Sequence, residues 1–364
     1  MSEGGFDGGS GGGAPALEAR GVVKRFDWGP GRGLFGRRRV VAAVDDIDLV
    51  VRSGEALALV GESGCGKSTL ARCLAGLLPF DDGEVRWRGM SLPRNGRLSR
   101  ARRREVQLVF QDPSAALDPR WTVGASIAEA FRGTGLGRDR DDRQRRLSNA
   151  LRAVGLESEH AARMPHQLSG GQRQRVAIAR ALAAQPRVLI ADEPVSALDA
   201  AIRSRVLDLL DVARQERDLA LIFIGHDLHD ARRVADQAAV LYLGRVVERG
   251  PVDAVLRAPR HPYAQALLTA APSLDRALSS GRQTGTEADD ENDRGPVAVV
   301  GEVPSAFDPP GGCAYHPRCP FAVARCRSER PGLRALGGVE VACHRADDPV
   351  VHPQPAEETA ASTQ

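Results

Sequence analysis

The sequence predicts an α/β fold built around a phosphate-binding loop, and three observations carry that prediction. The first is GESGCGKST, residues 61–69, preceded by the apolar run ALALV and followed by a leucine-rich run over residues 70–78. A short buried strand, a glycine turn and a helix, in that order, are what a phosphate cradle requires. The second is the apolar run over residues 188–190, which leads into Asp192 and Glu193. Acids at the carboxyl end of a strand lie where open α/β sheets bind their ligands. The third is another apolar run, residues 219–224, which ends in Gly225-His226-Asp227 before a helical segment.

Within the loop, Gly61, Gly64 and Gly66 allow backbone angles closed to other residues, so successive N–H groups and the helix N-terminus can face one anion. Lys67 then reaches the outer phosphates, and Ser68 offers its hydroxyl to a magnesium ion. The pattern is short, and by chance it arises in a chain of this length on the order of one time in a hundred. Basic-residue usage strengthens it. Of 50 Lys plus Arg residues only Lys24 and Lys67 are lysine, so a lysine here argues for a compact ammonium.

The chain has 364 residues, 42% of them hydrophobic and 27% charged, which suits a globular protein of two or three domains. No apolar run approaches the ~20 residues that span a bilayer, and the start MSEGGFDGGSGGG lacks a signal pattern, so a cytoplasmic protein is expected. A net charge of +3 and 4% aromatic residues argue against nucleic acid as a partner. The densest basic run, residues 97–104, reads as a solvated connector.

Taken in order, residues 1–14 are a glycine-rich tail, and residues 16–26 read as a first strand that ends in Phe26. After a glycine and arginine loop at 27–39, residues 40–51 alternate apolar with acidic positions and read as a half-buried strand. An antiparallel pair therefore feeds the nucleotide-binding core. Residues 84–88 and 106–110 are further strands, the second ending in FQDP and so in Gln111. Residues 125–164 are arginine-rich with helical period and read as an inserted helical subdomain. In LSGGQRQRVAIARAL, residues 168–182, Ser169 is a helix N-cap, and Gly170 and Gly171 bare their N–H groups beside Gln172. That helix start is a second anion site. The inserted subdomain separates it from the chain's own loop, which suggests an anion shared with another copy. Of the acids, Asp192 is expected in the magnesium shell and Glu193 to deprotonate a water, with His226 at the terminal phosphate.

Five motifs thus stand in one order: the P-loop, Gln111, LSGGQ, the acidic pair and His226. Together, over residues 16–257, they resemble the nucleotide-binding subunits of ABC transporters, and Ser169 precedes Asp192 by 23 positions, as in that family. The resemblance implies a P-loop NTPase core of ABC ATPase type, with an antiparallel β subdomain, an inserted helical subdomain and a head-to-tail dimer that sandwiches two ATP molecules. It also implies that Phe26 stacks on adenine and that Gly61, Glu62, Ser63, Gly64, Cys65, Gly66, Lys67, Ser68 and Thr69 cradle the phosphates. By the same resemblance Ser68, Gln111 and Asp192 hold Mg2+, Glu193 is the base and His226 the switch residue. Asp199 communicates across the dimer, and Ser169, Gly170, Gly171 and Gln172 close on the opposite nucleotide.

HPYAQALL at 261–268, and GEVPS followed by GCAYHPRCPFAVARC at 312–326, are similar to the C-terminal extension of oligopeptide and dipeptide importer ATPases. Within that group the chain looks closer to the second of the two ATPase subunits. The domains expected are a nucleotide-binding domain over 15–260, with its helical subdomain at about 112–175, and an extension over 261–350. A polar linker at 279–294 and a tail at 351–364 complete the chain. Cys313, Cys319, Cys326 and Cys343 lie in the extension, spaced C-x5-C-x6-C-x16-C. Disulfides are not expected in a reducing compartment, and the spacing is not that of a zinc ribbon. An iron–sulfur cluster, as implied by the resemblance and of the 4Fe–4S type, zinc, or bare thiols all remain open.

The function implied is ATP hydrolysis that powers peptide import at the cytoplasmic face of the membrane. The partners implied are a second ATPase subunit, two permease subunits and an extracytoplasmic binding protein. Nickel or sugar as cargo, or a soluble ABC ATPase outside transport, are the alternatives.

Overall fold

The computed structural model describes residues 14–28, 39–95, 98–132, 136–270 and 301–351. The expected linker at 279–294 and most of both tails lie outside these residues. The chain divides into two compact units, Met1–Val246 and Val247–Gln364.

In the first unit, β1 (Pro15–Trp28) pairs antiparallel with β2 (Arg39–Arg52), in a register that sets Glu18 opposite Val50 and Lys24 opposite Val44. On its other edge β1 meets β4 (Asp82–Trp87), which pairs with the two-residue β5 (Met90–Ser91). Leu17, Val22, Val44, Ile47, Val85 and Trp87 bury one face of this sheet. The alternation in the sequence of β2 is the cause, because side chains of a strand point to opposite faces in turn.

A parallel sheet forms the rest of the core. β3 (Ala56–Val60) lies between β8 (Ala220–Ile224) and β9 (Gln237–Tyr242), and β7 (Val188–Asp192) and β6 (Val106–Val109) continue beyond β8. Every residue of β3, β7 and β8 is buried, which explains why these strands read as continuous apolar runs. The sheet is covered by α1 (Lys67–Leu74), α6 (Ala200–Arg217) and α7 (Leu228–Val234), among other elements. The helix expected over 70–78 starts earlier, at Lys67, and stops at Leu74; Ala75 ends it and Gly76, with a φ of 66°, makes the turn after it.

Between β6 and β7 the chain forms α3 (Val123–Ala130), α4 (Arg140–Ala153) and α5 (Gly170–Ala183), capped in turn by Thr122, Asp139 and Ser169. Val123, Ile127, Leu147, Leu151 and Val154 are buried among them. The arginine run is exposed or half-exposed over its described residues, as expected of a solvated connector, but part of it is helical. Ser99 caps a short helix, α2 (Arg100–Glu105), whose Arg102 guanidinium lies 5.8 Å from the Trp87 ring and donates to the Met90 and Ser91 carbonyls. An aromatic surface and two free carbonyls offer that arginine more than water does.

In the second unit, β10 (Arg245–Pro251) pairs with β12 (Val339–Val341), which pairs with β11 (Arg334–Leu336), all antiparallel. α8 (Val252–Arg257), α9 (Pro262–Ala270) and α10 (Ala324–Ser328) complete it around Val255, Tyr263, Tyr315 and Ala346. Among the described residues, no helix is long and apolar enough to cross a membrane.

Candidate functional site

The glycine loop runs from the end of β3 to the start of α1. A Cβ on Gly61 would stand 2.3 Å from the Leu241 carbonyl oxygen, and one on Gly66 2.1 Å from that of Ala43. Gly66 is also left-handed, at φ 109°. Glycine is therefore required at both positions by packing as well as by conformation. Gly64, at φ 80°, would meet nothing within 4 Å, so the loop is open on that side. Lys67 is 7% exposed, and its ammonium donates to the carbonyls of Gly61 (2.7 Å) and Glu62 (2.8 Å). Cys65 is packed below, its Sγ 3.7 Å from the same ammonium, and burial raises its thiol above the ordinary pKa.

β7 carries the two acids to the same end of the sheet. Asp192 is 4% exposed, and its carboxyl holds a proton more tightly than usual, first because it is buried, although the Ser68 hydroxyl bonded to it acts the other way. The glycine loop's serine and the first acid thus meet directly. Glu193 has a left-handed φ of 47°, unusual for a side chain of its size, and its N–H donates 2.9 Å to the Ile224 carbonyl of β8. This backbone strain aims its carboxylate at the loop after β8, where His226 Nδ1 lies 3.8 Å away. Asp227 caps α7 through the N–H groups of His229 and Asp230 and accepts from Arg203 at 3.2 Å. The Asp227 cap of α7, and its pairing with Arg203, fix the start of the helix that follows His226; an acid directly before a helix is the sequence signal for it.

The remaining candidates are placed by neighbouring elements. Gln111 is exposed two residues past β6, beside the strand of the acids. Gln174, buried in α5, donates to the Phe110 carbonyl (3.4 Å) and so ties that helix to the segment of Gln111. At the start of α5, the Ser169 hydroxyl accepts from the Gln172 N–H (3.2 Å), and the Gln172 side chain accepts from the Ser169 N–H (2.9 Å). That reciprocal cap leaves Ser169 and Gly170 exposed, with open space where a Gly170 Cβ would stand. Asp199 caps α6, accepting from the Ile202 N–H at 3.0 Å. The Phe26 ring, on β1, is 39% exposed.

With this arrangement in view, similarity to known proteins becomes specific. A family described as ABC transporter matches residues 44–196, and one described as oligopeptide/dipeptide transporter, C-terminal region, matches residues 247–326. The chain is 42% identical over 333 residues to the Di/tripeptide transport ATP-binding protein DppF of Pseudomonas aeruginosa, covering 91% of this chain and 98% of that protein. The chain belongs to the ATP-binding subunits of the oligopeptide/dipeptide ABC importer family. It is 41% identical to the Dipeptide transport ATP-binding protein DppF of Escherichia coli, over 92% of this chain and 95% of that one. Among solved structures, a dimeric ATP-binding cassette in a post-hydrolysis state, bound to ADP and Pi, superposes with a TM-score of 0.57 at 28% identity. That match covers 65% of this chain and 98% of the other. The fold expected of an ABC ATPase, with its antiparallel and parallel sheets and its helices, is therefore the fold found.

The second unit of this ATPase holds a different constellation. Cys313, Cys319, Cys326 and Cys343 line one pocket, together with His261, Tyr315 and Phe321. The Cys313 N–H donates to the Cys326 carbonyl (2.8 Å), and the Arg345 N–H to Cys343 Sγ (3.4 Å). Burial pushes the Cys319 thiol up to about 11 and the Cys343 thiol up to about 12. Glu248 is fully buried beside this region, where it accepts from the N–H groups of Arg260 and His261. Among the described residues, no group of three or more His, Cys, Asp or Glu side chains is placed to hold a metal ion.

Proposed function

We propose that the chain hydrolyses ATP to power the import of oligo- or dipeptides through a membrane ABC transporter. The observation that supports ATP hydrolysis is the meeting of Ser68, Asp192, Glu193 and His226 at one end of a parallel sheet, beside an open glycine loop, while the peptide cargo rests on the similarity to di/tripeptide and dipeptide transport ATP-binding proteins. The residues suit MgATP: a loop whose glycines cannot carry side chains, an ammonium already drawn to loop carbonyls, and a hydroxyl paired with an acid. Residues 61–69 cradle the phosphates, with Ser68, Gln111 and Asp192 holding Mg2+. Bound MgATP supplies the phosphoanhydride that is cleaved.

The chain's own groups do the rest. Lys67 trades loop carbonyls for phosphate oxygens, Glu193 takes the proton of the attacking water, and His226 orients that carboxylate. Phe26 stacks on the base. Ser169, Gly170, Gly171 and Gln172 of a second ATPase subunit close over the nucleotide, with Asp199 at the contact between subunits. Two permease subunits and an extracytoplasmic binding protein complete the transporter, and this chain sits at the cytoplasmic face. The nucleotide-binding domain is proposed over 15–260, of which residues 247–260 belong to the second compact unit, and the extension over 261–350.

For the extension, we propose an iron–sulfur cluster held by Cys313, Cys319, Cys326 and Cys343. Four cysteines lining one pocket support it. Raised thiol pKa values mean that bare thiolates are unfavourable there, and a cationic centre offsets that cost. Cys313, Cys319, Cys326 and Cys343 would hold the cluster through their thiolates, and the cluster would supply one-electron chemistry there. Anaerobically purified protein is then brown and contains iron; colourless protein that contains zinc, or neither metal, counts against the cluster.

Function is tested in vesicles reconstituted with the permease and binding-protein partners. ATP-dependent dipeptide uptake that is lost in Glu193→Gln is the expected result. Uptake of nickel or a sugar, but of no peptide, overturns the cargo assigned.

A further inference from the structure

Lysine is almost absent from this chain. Lys67 and Lys24 are its only two lysines among 50 basic residues. The glycine loop accounts for the first, and the second stands on β1, two residues before Phe26. The pairing of β1 with β2 shifts register between Lys24 and Arg25, and the two side chains nevertheless come together on one side of the strand.

The contacts use that neighbourhood. Lys24 Nζ lies 5.4 Å from the centroid of the Phe26 ring and 3.1 Å from Asp81 Oδ1. Its side chain is 12% exposed. The other Asp81 oxygen accepts from the N–H of Arg25, the residue between Lys24 and Phe26, and the Asp81 N–H donates to the Val23 carbonyl (2.8 Å). One carboxylate therefore grips the strand and the ammonium together, just before an aromatic ring that remains 39% exposed. A guanidinium in this place would be longer and planar and would spread over the ring, whereas an ammonium fits between carboxylate and ring as a point charge. This explains lysine at 24 in a chain that otherwise uses arginine.

We propose that Lys24, anchored by Asp81, is a positioning residue that fixes the Phe26 ring as the platform for the nucleotide base. The proposal rests on the reading of Phe26 as the base-stacking residue. It predicts a loss confined to ligands that carry a base.

The test compares MgATP with inorganic tripolyphosphate, which has the phosphates and no base, on the full-length chain by equilibrium binding. Lys24→Met keeps the stem and removes the charge. It is expected to weaken MgATP about fivefold, the size of a half-buried cation–π contact, and to leave tripolyphosphate within about twofold of the parent. Lys24→Arg is expected to recover only part of that loss. Unchanged MgATP affinity in Lys24→Met overturns the proposal. An equal loss for both ligands also overturns it, since Lys24 would then act on the phosphates or on the fold. Phe26→Ala tests the underlying reading separately. If it leaves the ratio of the two affinities unchanged, Phe26 is no platform and the proposal falls with that reading; if the ratio drops while Lys24→Met does nothing, only the role of Lys24 is lost.

Discussion

The nucleotide site and the cysteine pocket of the same chain are built by opposite means. At the glycine loop, local sequence places most of the donors: nine consecutive residues supply amides, an ammonium and a hydroxyl, and two glycines are held against carbonyls that no side chain could pass. The thiols are instead gathered from a stretch of about thirty residues. Cys313 and Cys326 are joined by a backbone hydrogen bond, while Cys343 enters on the segment after β12, in a small core with Val341 and Ala346. A site made by local conformation announces itself in a motif, and a site made by tertiary packing does not.

The sharpest way to break this contrast is at the base. Glu193→Gln is expected to lower ATP turnover by about 10²–10⁴-fold while nucleotide still binds, measured by phosphate release beside equilibrium binding. Cys343→Ser should leave binding of MgATP unchanged. If Cys343→Ser removes nucleotide binding, the two sites are not separate.

The second unit carries its own signature in pH. Burial lowers His261 to about 3, and its Nδ1 accepts from the Tyr263 N–H, so the ring is neutral in the fold. The unfolded chain takes up this proton below about 6.5, and the stability of the unit therefore falls as pH drops from there towards about 3. The full effect is on the order of 5 kcal/mol. Glu248 works in the other direction. Burial raises it to about 7, so its contribution is complete below the ordinary carboxylate pKa and is lost as pH rises through 7, by about 3 kcal/mol. Urea unfolding across pH 3–8 reads both slopes, and His261→Gln should flatten the acid side alone. An unchanged acid slope in that variant contradicts the neutral ring.

Smaller effects sharpen the picture at the helix start. Ser169→Ala removes the cap of α5 and should cost about 1 kcal/mol of stability, read by denaturant unfolding. Arg102→Ala should cost less still, about 0.5 kcal/mol, since its cation–π contact and carbonyl bonds are partly exposed. A loss at Arg102 larger than that at Ser169 would mean that the antiparallel sheet depends on the arginine run more than its contacts indicate.

Much of this was legible beforehand. The strands Ala56–Val60, Val188–Asp192 and Ala220–Ile224 read as apolar runs because both faces are covered, and the cap at Ser169 follows from residue type. Other features were hidden for physical reasons. The left-handed Glu193 is imposed by its bond to Ile224, a residue 31 positions away. Gln237–Tyr242 follows α7 with only Ala235 and Asp236 between, too little punctuation to mark a strand. Arg102 found Trp87, and Glu248 found the N–H groups of Arg260 and His261, through contacts that no local pattern encodes.

Binding of MgATP to the parent chain and to Lys67→Ala, measured at equilibrium on correctly folded protein, tests most directly whether the glycine loop is the seat of the nucleotide. The account predicts that the parent binds and that the variant is weakened by at least about tenfold, with the loss shared by tripolyphosphate. Equal affinity of the two chains for both ligands would contradict it, because the ammonium held by Gly61 and Glu62 would then have no phosphate to serve.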